Sequence, residues 1–269
     1  GTGKSRFVIK PNLLQENCSY VVTDPSGEII VSLGKVLLKD GYDIKIFNLS
    51  NMAHSNTYNP FKYIRDEAGV LMVIDCLIKN TTGKNEKGDQ FFTNSEKLLY
   101  SACIFYLIDF ETSESRKNFS RVMDMINMSQ VDENNPSAKS ELDLMFEQID
   151  QASLAAKYYK AFKQAAGKTL KSIIISCVVR LQSFMTPQVA RLTGSDDIDL
   201  GSIGDKKTIL FIITPQADRT FAFLASMLYS QLFETLYFHA ENECDGKRLP
   251  IPVRFILDEF ANSVTRSTP

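Results

Sequence analysis

The chain has 269 residues, 44% of them hydrophobic and 23% charged, the balance of a soluble globular protein with ample apolar material for a core. Thirty basic against 32 acidic residues leave a formal net charge of −2, which excludes a chain-wide polybasic surface and confines any nucleic-acid contact to a patch. Cys18, Cys76, Cys103, Cys177 and Cys244 are scattered without a CxxC, as reduced intracellular thiols would be, and neither His54 nor His239 has a partner at metal-ligand spacing, so no zinc site is expected.

The chain opens GTGKSRF. Gly3-Lys4-Ser5 match the last three positions of the phosphate-loop pattern G-x-x-x-x-G-K-[ST], with Gly1-Thr2 before them. In such a loop Gly3 lets the backbone approach phosphate, Lys4 binds β- and γ-phosphate oxygens, and the Ser5 hydroxyl ligates Mg²⁺. Backbone N–H groups from Ser5 and Arg6 onward would open a helix whose N-terminus favours anions. Tyr20 to Thr23 reads as a buried strand running into the turn Asp24-Pro25-Ser26-Gly27. Tyr42 to Leu49 partly alternates and reads as an edge strand.

From Phe61 to Arg191 the patterns are helical, with no convincing strand. Thr93-Asn94-Ser95-Glu96 has capping-box spacing before the apolar Leu98 to Ile108. That apolar run is too short for the ~18–20 residues of a bilayer span. The aromatic residues of FFTNSEKLLYSACIFYL read as core rather than as a platform for stacked bases. Asn134-Asn135-Pro136 is a linker, Ser140 to Ile149 a helix, and another helix begins near Ala152. Between Gln151 and Arg191 there are seven Lys or Arg and no Asp or Glu. On one continuous helix Lys157, Lys160, Lys168 and Lys171 fall within about 80° of one another. They read either as a surface for DNA phosphates or an acidic partner, or as an ordinary solvated helix face.

Thr208 to Ile213 (TILFII) is continuously apolar, as a strand covered on both faces should be. Asp218 would cap a long amphipathic helix from Arg219 to Glu241. Val253 to Leu257 is a strand ending in Asp258-Glu259, which places two carboxylates at the carboxyl edge of an α/β sheet. Asp258 would orient the Mg²⁺ shell, and Glu259 would accept a proton from an attacking water. A solvated acidic turn after a strand is the plain alternative, which the ordered pairing with GTGKS disfavours.

GTGKSRFVIKPNLL, VVTDPSGEI, YNPF, FFTNSEKLLYSACIFYL and FILDEFAN follow in that order. In this the chain resembles, over nearly all its length, the coupling proteins of conjugation and type IV secretion, members of the FtsK/HerA-like P-loop ATPases. The resemblance implies an α/β fold: a RecA-like core with a mainly parallel sheet, and a large all-helical insertion. Residues 1–60 and 192–269 would form the core and 61–191 the insertion. It implies ATP and Mg²⁺ as cofactors, Gly1, Thr2, Gly3, Lys4, Ser5 and Arg6 at the nucleotide, and Ser5 and Asp258 at the metal. Glu259 would be catalytic, and Asp24 would lie near the nucleotide. The partners implied are a relaxase or relaxosome, single- or double-stranded DNA, channel components and further copies in a hexamer. The implied location is the cytoplasmic face of a bacterial membrane, with the anchor outside this sequence and the chain itself soluble, a monomer as it stands.

Two departures bear on activity. The first glycine of the loop and the strand before it are not in the sequence, and SVTRSTP does not resemble the family's continuation past DEFAN. Two functions are therefore carried forward: an ATP-driven motor or gate that passes relaxase-bound DNA to a channel, and a non-hydrolysing module that recognises substrate through its helical insertion. A small-molecule kinase lacks support, because Glu259 beside Asp258 suits activation of water.

Overall fold

The structure, a computed structural model, describes residues 3–81, 90–129, 138–215 and 220–257. The chain divides into two compact units. One comprises Gly1–Tyr58 with Asp196–Pro269, and the other Asn59–Ser195.

In the first unit a π-helical stretch over Ser5–Ile9 runs directly into α1 (Lys10–Leu13). Then come β1 (Ser19–Thr23), α2 (Glu28–Lys39) and β2 (Asp43–Asn48). The helical unit contributes α3 (Glu67–Thr81), α4 (Gln90–Phe110), α5 (Phe119–Asn127), α6 (Glu141–Glu147), α7 (Leu154–Ala166), α8 (Leu170–Leu181) and α9 (Pro187–Gly194). The chain returns to the first unit with β3 (Thr208–Ile213), α10 (Ala222–Asn242) and β4 (Val253–Ile256).

The sheet has the order β2-β3-β1-β4, and every pairing is parallel. TILFII is buried along its whole length, as its apolar run predicts for a strand covered on both faces, and SYVVT is buried throughout as well, its terminal Ser19 and Thr23 included. The partly alternating DIKIFN takes the edge. Side chains alternate between faces. Tyr20, Val22, Ile209 and Phe211 pack with Ile9 and Leu13 of the first helix and with Ile29, Leu33 and Leu37 of α2. On the other face α10 covers the sheet: the Phe233 and Phe255 rings stack at 4.5 Å, and the hydroxyls of Thr23 and Tyr229 share a hydrogen bond of 2.8 Å. The last strand stops at Ile256, one residue earlier than the sequence pattern suggests.

The helical unit is built around α4. Tyr100 and Phe105 are buried, as the core reading expects of that aromatic run, whereas Phe91 in the first turn of α4 is exposed and departs from it. Phe105 stacks on Tyr158 of α7 at 5.5 Å, and Phe146 of α6 stacks on Tyr159 at 4.1 Å. The capping box expected at Thr93–Glu96 is absent, because α4 already starts at Gln90 and those residues lie inside it. The Ser95 hydroxyl donates back to the Phe91 carbonyl at 2.9 Å, and Glu96 turns inward to Arg180. Asn134–Pro136 and Asp218 lie outside the described residues. The unbroken helix assumed for the lysine face is also corrected. Gly167, at φ +44°, ends α7, a short 3₁₀ turn follows, and α8 begins at Leu170.

Ser140 does form a capping box, with its hydroxyl receiving the Asp143 N–H at 3.1 Å and the Asp143 carboxylate receiving the Ser140 N–H at 2.9 Å. The same carboxylate takes the Tyr159 hydroxyl and the Lys163 ammonium, both at 2.9 Å. Burial alone would raise its pKa, but the hydrogen bonds from Ser140, Lys163 and Tyr159 prevail and hold it at about 2. A depressed carboxylate pKa adds stability above its ordinary value and loses it as pH falls through the folded one. Asp143→Asn should therefore cost about 2 kcal/mol near neutrality. In denaturant titrations the gap from wild type should close between about pH 4 and about pH 2.

Candidate nucleotide site

Gly3 sits at φ +70°, a conformation that side chains resist, and a Cβ there would come within 2.9 Å of the Phe7 ring. Its carbonyl accepts the Phe7 N–H at 2.9 Å, so the helical path begins at Lys4 without a break. The opening amides of a helix have no acceptor within it and carry the positive end of its dipole. Lys4 and Arg6 are exposed at this end, Ser5 half-buried between them, and the Arg6 guanidinium lies 5.5 Å from the Phe7 ring centre.

The direction of this helix follows from what its far end touches. Asn12 accepts the Tyr20 hydroxyl on its carbonyl at 3.0 Å, and its side chain lies 3.4 Å from Arg254. Tyr20 and Arg254 are register partners near the starts of β1 and β4. Lys10, one half-turn earlier, reaches Glu28 at 2.8 Å, the first residue of α2 beyond the carboxyl end of β1. The helix therefore runs antiparallel to the strands. Its N-terminus, with Gly3, Lys4 and Ser5, points to the carboxyl edge, where α/β sheets bind ligands.

β1 delivers Asp24 to that edge. Its carboxylate is buried and accepts the N–H groups of Ile29 and Ile30, each at 3.0 Å, which caps α2. Burial raises the Asp24 pKa above the ordinary carboxylate value and outweighs the pull of those two amides. Gly27, at φ +70°, returns its N–H to the Asp24 carbonyl at 3.0 Å and closes the turn. β4 runs to the same edge beside β1, with Val22 opposite Ile256. Gly1, Thr2, Asp258 and Glu259 lie outside the described residues.

The residues present fit a phosphate group: a left-handed glycine, a helix start at the sheet's carboxyl edge, a lysine and a hydroxyl. Local sequence carried no sign of the Lys10–Glu28 and Asn12–Arg254 contacts that aim the helix. In the helical unit Lys157, Lys160 and Lys171 are exposed; the Lys168 side chain lies outside the described residues. Lys157 and Lys160 share α7, and Lys171 belongs to α8. Among the described residues no single helix is long and apolar enough to cross a membrane.

A family profile described as type IV secretory system, conjugative DNA transfer, matches residues 1–263. A search of curated proteins finds no match. Among solved structures, the chain is similar to a bacterial conjugative coupling protein, TrwBdeltaN70, in its unbound monoclinic form. The TM-score is 0.56 at 17% identity, over 97% of this chain and 53% of that one. The chain thus spans about half the length of that protein, and at this identity the likeness is one of fold.

Proposed function

Because the chain belongs to the type IV secretory system conjugative DNA transfer family, we propose that it is the nucleotide-binding part of an ATP-hydrolysing coupling protein. That protein would bring relaxase-bound DNA to a secretion channel at the cytoplasmic face of the bacterial membrane and drive or gate its transfer. A hexamer would be the working form. The observation that carries this reading is the aim of the first helix: Gly3, Lys4 and Ser5 stand at the carboxyl edge of the sheet, the edge to which β1 and β4 also run.

ATP with Mg²⁺ would supply the phosphoryl bond whose hydrolysis powers movement. Lys4 would neutralise the β- and γ-phosphate oxygens, and the backbone from Gly1 to Arg6 would cradle them. Ser5 and Asp258 would hold the metal, and Glu259 would take the proton of the attacking water. Asp24, through its hold on Ile29 and Ile30, would keep the loop beside the nucleotide in place. The test is ATP hydrolysis measured with and without DNA. Stimulation by DNA supports a motor, whereas ATP binding with no turnover in either condition contradicts it.

A second reading, recognition of substrate by the helical unit, is favoured by the exposed Lys157, Lys160 and Lys171 in a stretch without acidic residues. Changing these three together with Lys168 to glutamine should weaken DNA binding. The salt slope should fall by roughly 0.7–0.9 for each phosphate that a lysine no longer neutralises. Unaltered binding at every salt concentration removes this surface from the account.

A further inference from the structure

The end of α10 gathers a set of side chains that the nucleotide site does not use. One potential ligand atom each from Asp205, His239 and Cys244 lies within 4.8 Å of the other two. The His239 ring is held on both sides: Nε2 is 2.8 Å from the Asp205 carboxylate and Nδ1 is 2.6 Å from Glu243. Histidine ligands of metals commonly have such an arrangement, with a carboxylate on the outer nitrogen fixing the ring while the inner one faces the ion.

The three residues come from segments that the fold pins together. Asp205 follows a 3₁₀ turn, Leu200–Gly204, just before β3. His239 lies in the last turns of α10, and Cys244 follows that helix, whose final turn closes through the Glu243 N–H to the His239 carbonyl at 3.0 Å. The chain after Cys244 is tied back beside Asp205, because the Ile251 N–H donates to the Gly204 carbonyl at 2.9 Å. The packing is close at 204, where a Cβ would lie 2.7 Å from a Leu249 methyl. The cluster is thus set on a helix end, a strand entry and a braced loop.

We propose that Asp205, His239 and Cys244 form a binding site for a divalent transition-metal ion of the zinc class, with Glu243 orienting the histidine. One thiolate, one imidazole and one carboxylate are the donors that zinc and cobalt(II) accept in tetrahedral sites with an open fourth position. The thiolate and imidazole select against Mg²⁺, which takes oxygen ligands. Ligands about 2.0–2.3 Å from zinc need only modest side-chain movement from the present spacing. The bound ion would clamp the end of α10 to the entry of β3. Sequence spacing shows only the His239–Cys244 half of it, because Asp205 is 34 positions from His239.

The test is titration of the reduced 269-residue chain with cobalt(II), read by the thiolate-to-cobalt charge-transfer band. One saturable equivalent is expected, with affinity reduced at least about tenfold in His239→Ala and the band lost in Cys244→Ser. Independently of any substitution, Zn²⁺ should protect Cys244 from alkylation as mapped by mass spectrometry, and Mg²⁺ should not. No saturable band, a band that survives Cys244→Ser, or an alkylation rate unchanged by saturating Zn²⁺ would each overturn the site.

Discussion

Alanine at Lys4 should reduce ATP turnover by on the order of 100-fold or more, because in the proposed site a fixed positive charge on the developing phosphoryl charge would be lost. Lys4 is exposed at the start of the first helix, so stability should stay within about 0.5 kcal/mol of wild type. A fold defect therefore cannot mimic the effect, and denaturant midpoints measured beside turnover separate the two. Glu259→Gln should differ from Lys4→Ala in kind. In the role proposed for Glu259 it would leave the phosphate contacts intact and remove the proton acceptor, so nucleotide should still bind while turnover falls roughly 10²–10⁴-fold. Equal loss of nucleotide binding in both variants would contradict the separate roles.

Arg180→Ala should destabilise the helical unit by about 3–5 kcal/mol. The Glu96 side chain is only 2% exposed, and its carboxylate meets the Arg180 Nε at 2.6 Å and the Ser176 hydroxyl. Removing the guanidinium leaves a carboxylate buried in helix α4 without its counter-charge. The cost then comes from desolvation rather than from the net worth of the pair. Replacing both partners with apolar residues, Glu96→Leu with Arg180→Met, should accordingly restore most of the loss. Urea unfolding followed by circular dichroism measures both variants. A double variant no more stable than Arg180→Ala would show that the pair acts through something other than buried charge.

How much of this was legible in the sequence depends on whether the cause of a feature is local. TILFII declared itself because a strand buried on both faces is apolar nearly throughout, YVVT through the turn residues that follow it, and DIKIFN declared an edge through its partial alternation. The helix start after Gly3 was legible, because the glycine that takes φ +70° and the residues that open the helix are adjacent in sequence. Thr93–Glu96 misled for the opposite reason. The acid at the fourth place answers to Arg180, 84 positions away, not to the helix end its spacing suggested. Asp24 read correctly as part of a turn, yet its hold on the amides of Ile29 and Ile30, five and six positions on, lies beyond the two- or three-residue reach of an ordinary N-cap and was not read. The lysine face looked continuous on a helical projection, and one glycine at φ +44° divides it. In the trio at the end of α10, His239 and Cys244 are neighbours along the chain, and only Asp205 arrives by tertiary contact.

The central claim is that Gly3, Lys4 and Ser5 at the sheet's carboxyl edge hold the phosphates of ATP. Titration of a fluorescent ATP analogue with Mg²⁺ against this chain, beside Lys4→Ala, tests it most directly. The account predicts saturable binding that the substitution abolishes while the chain stays folded. Binding of equal strength in both, or none by the folded wild-type chain, would contradict it.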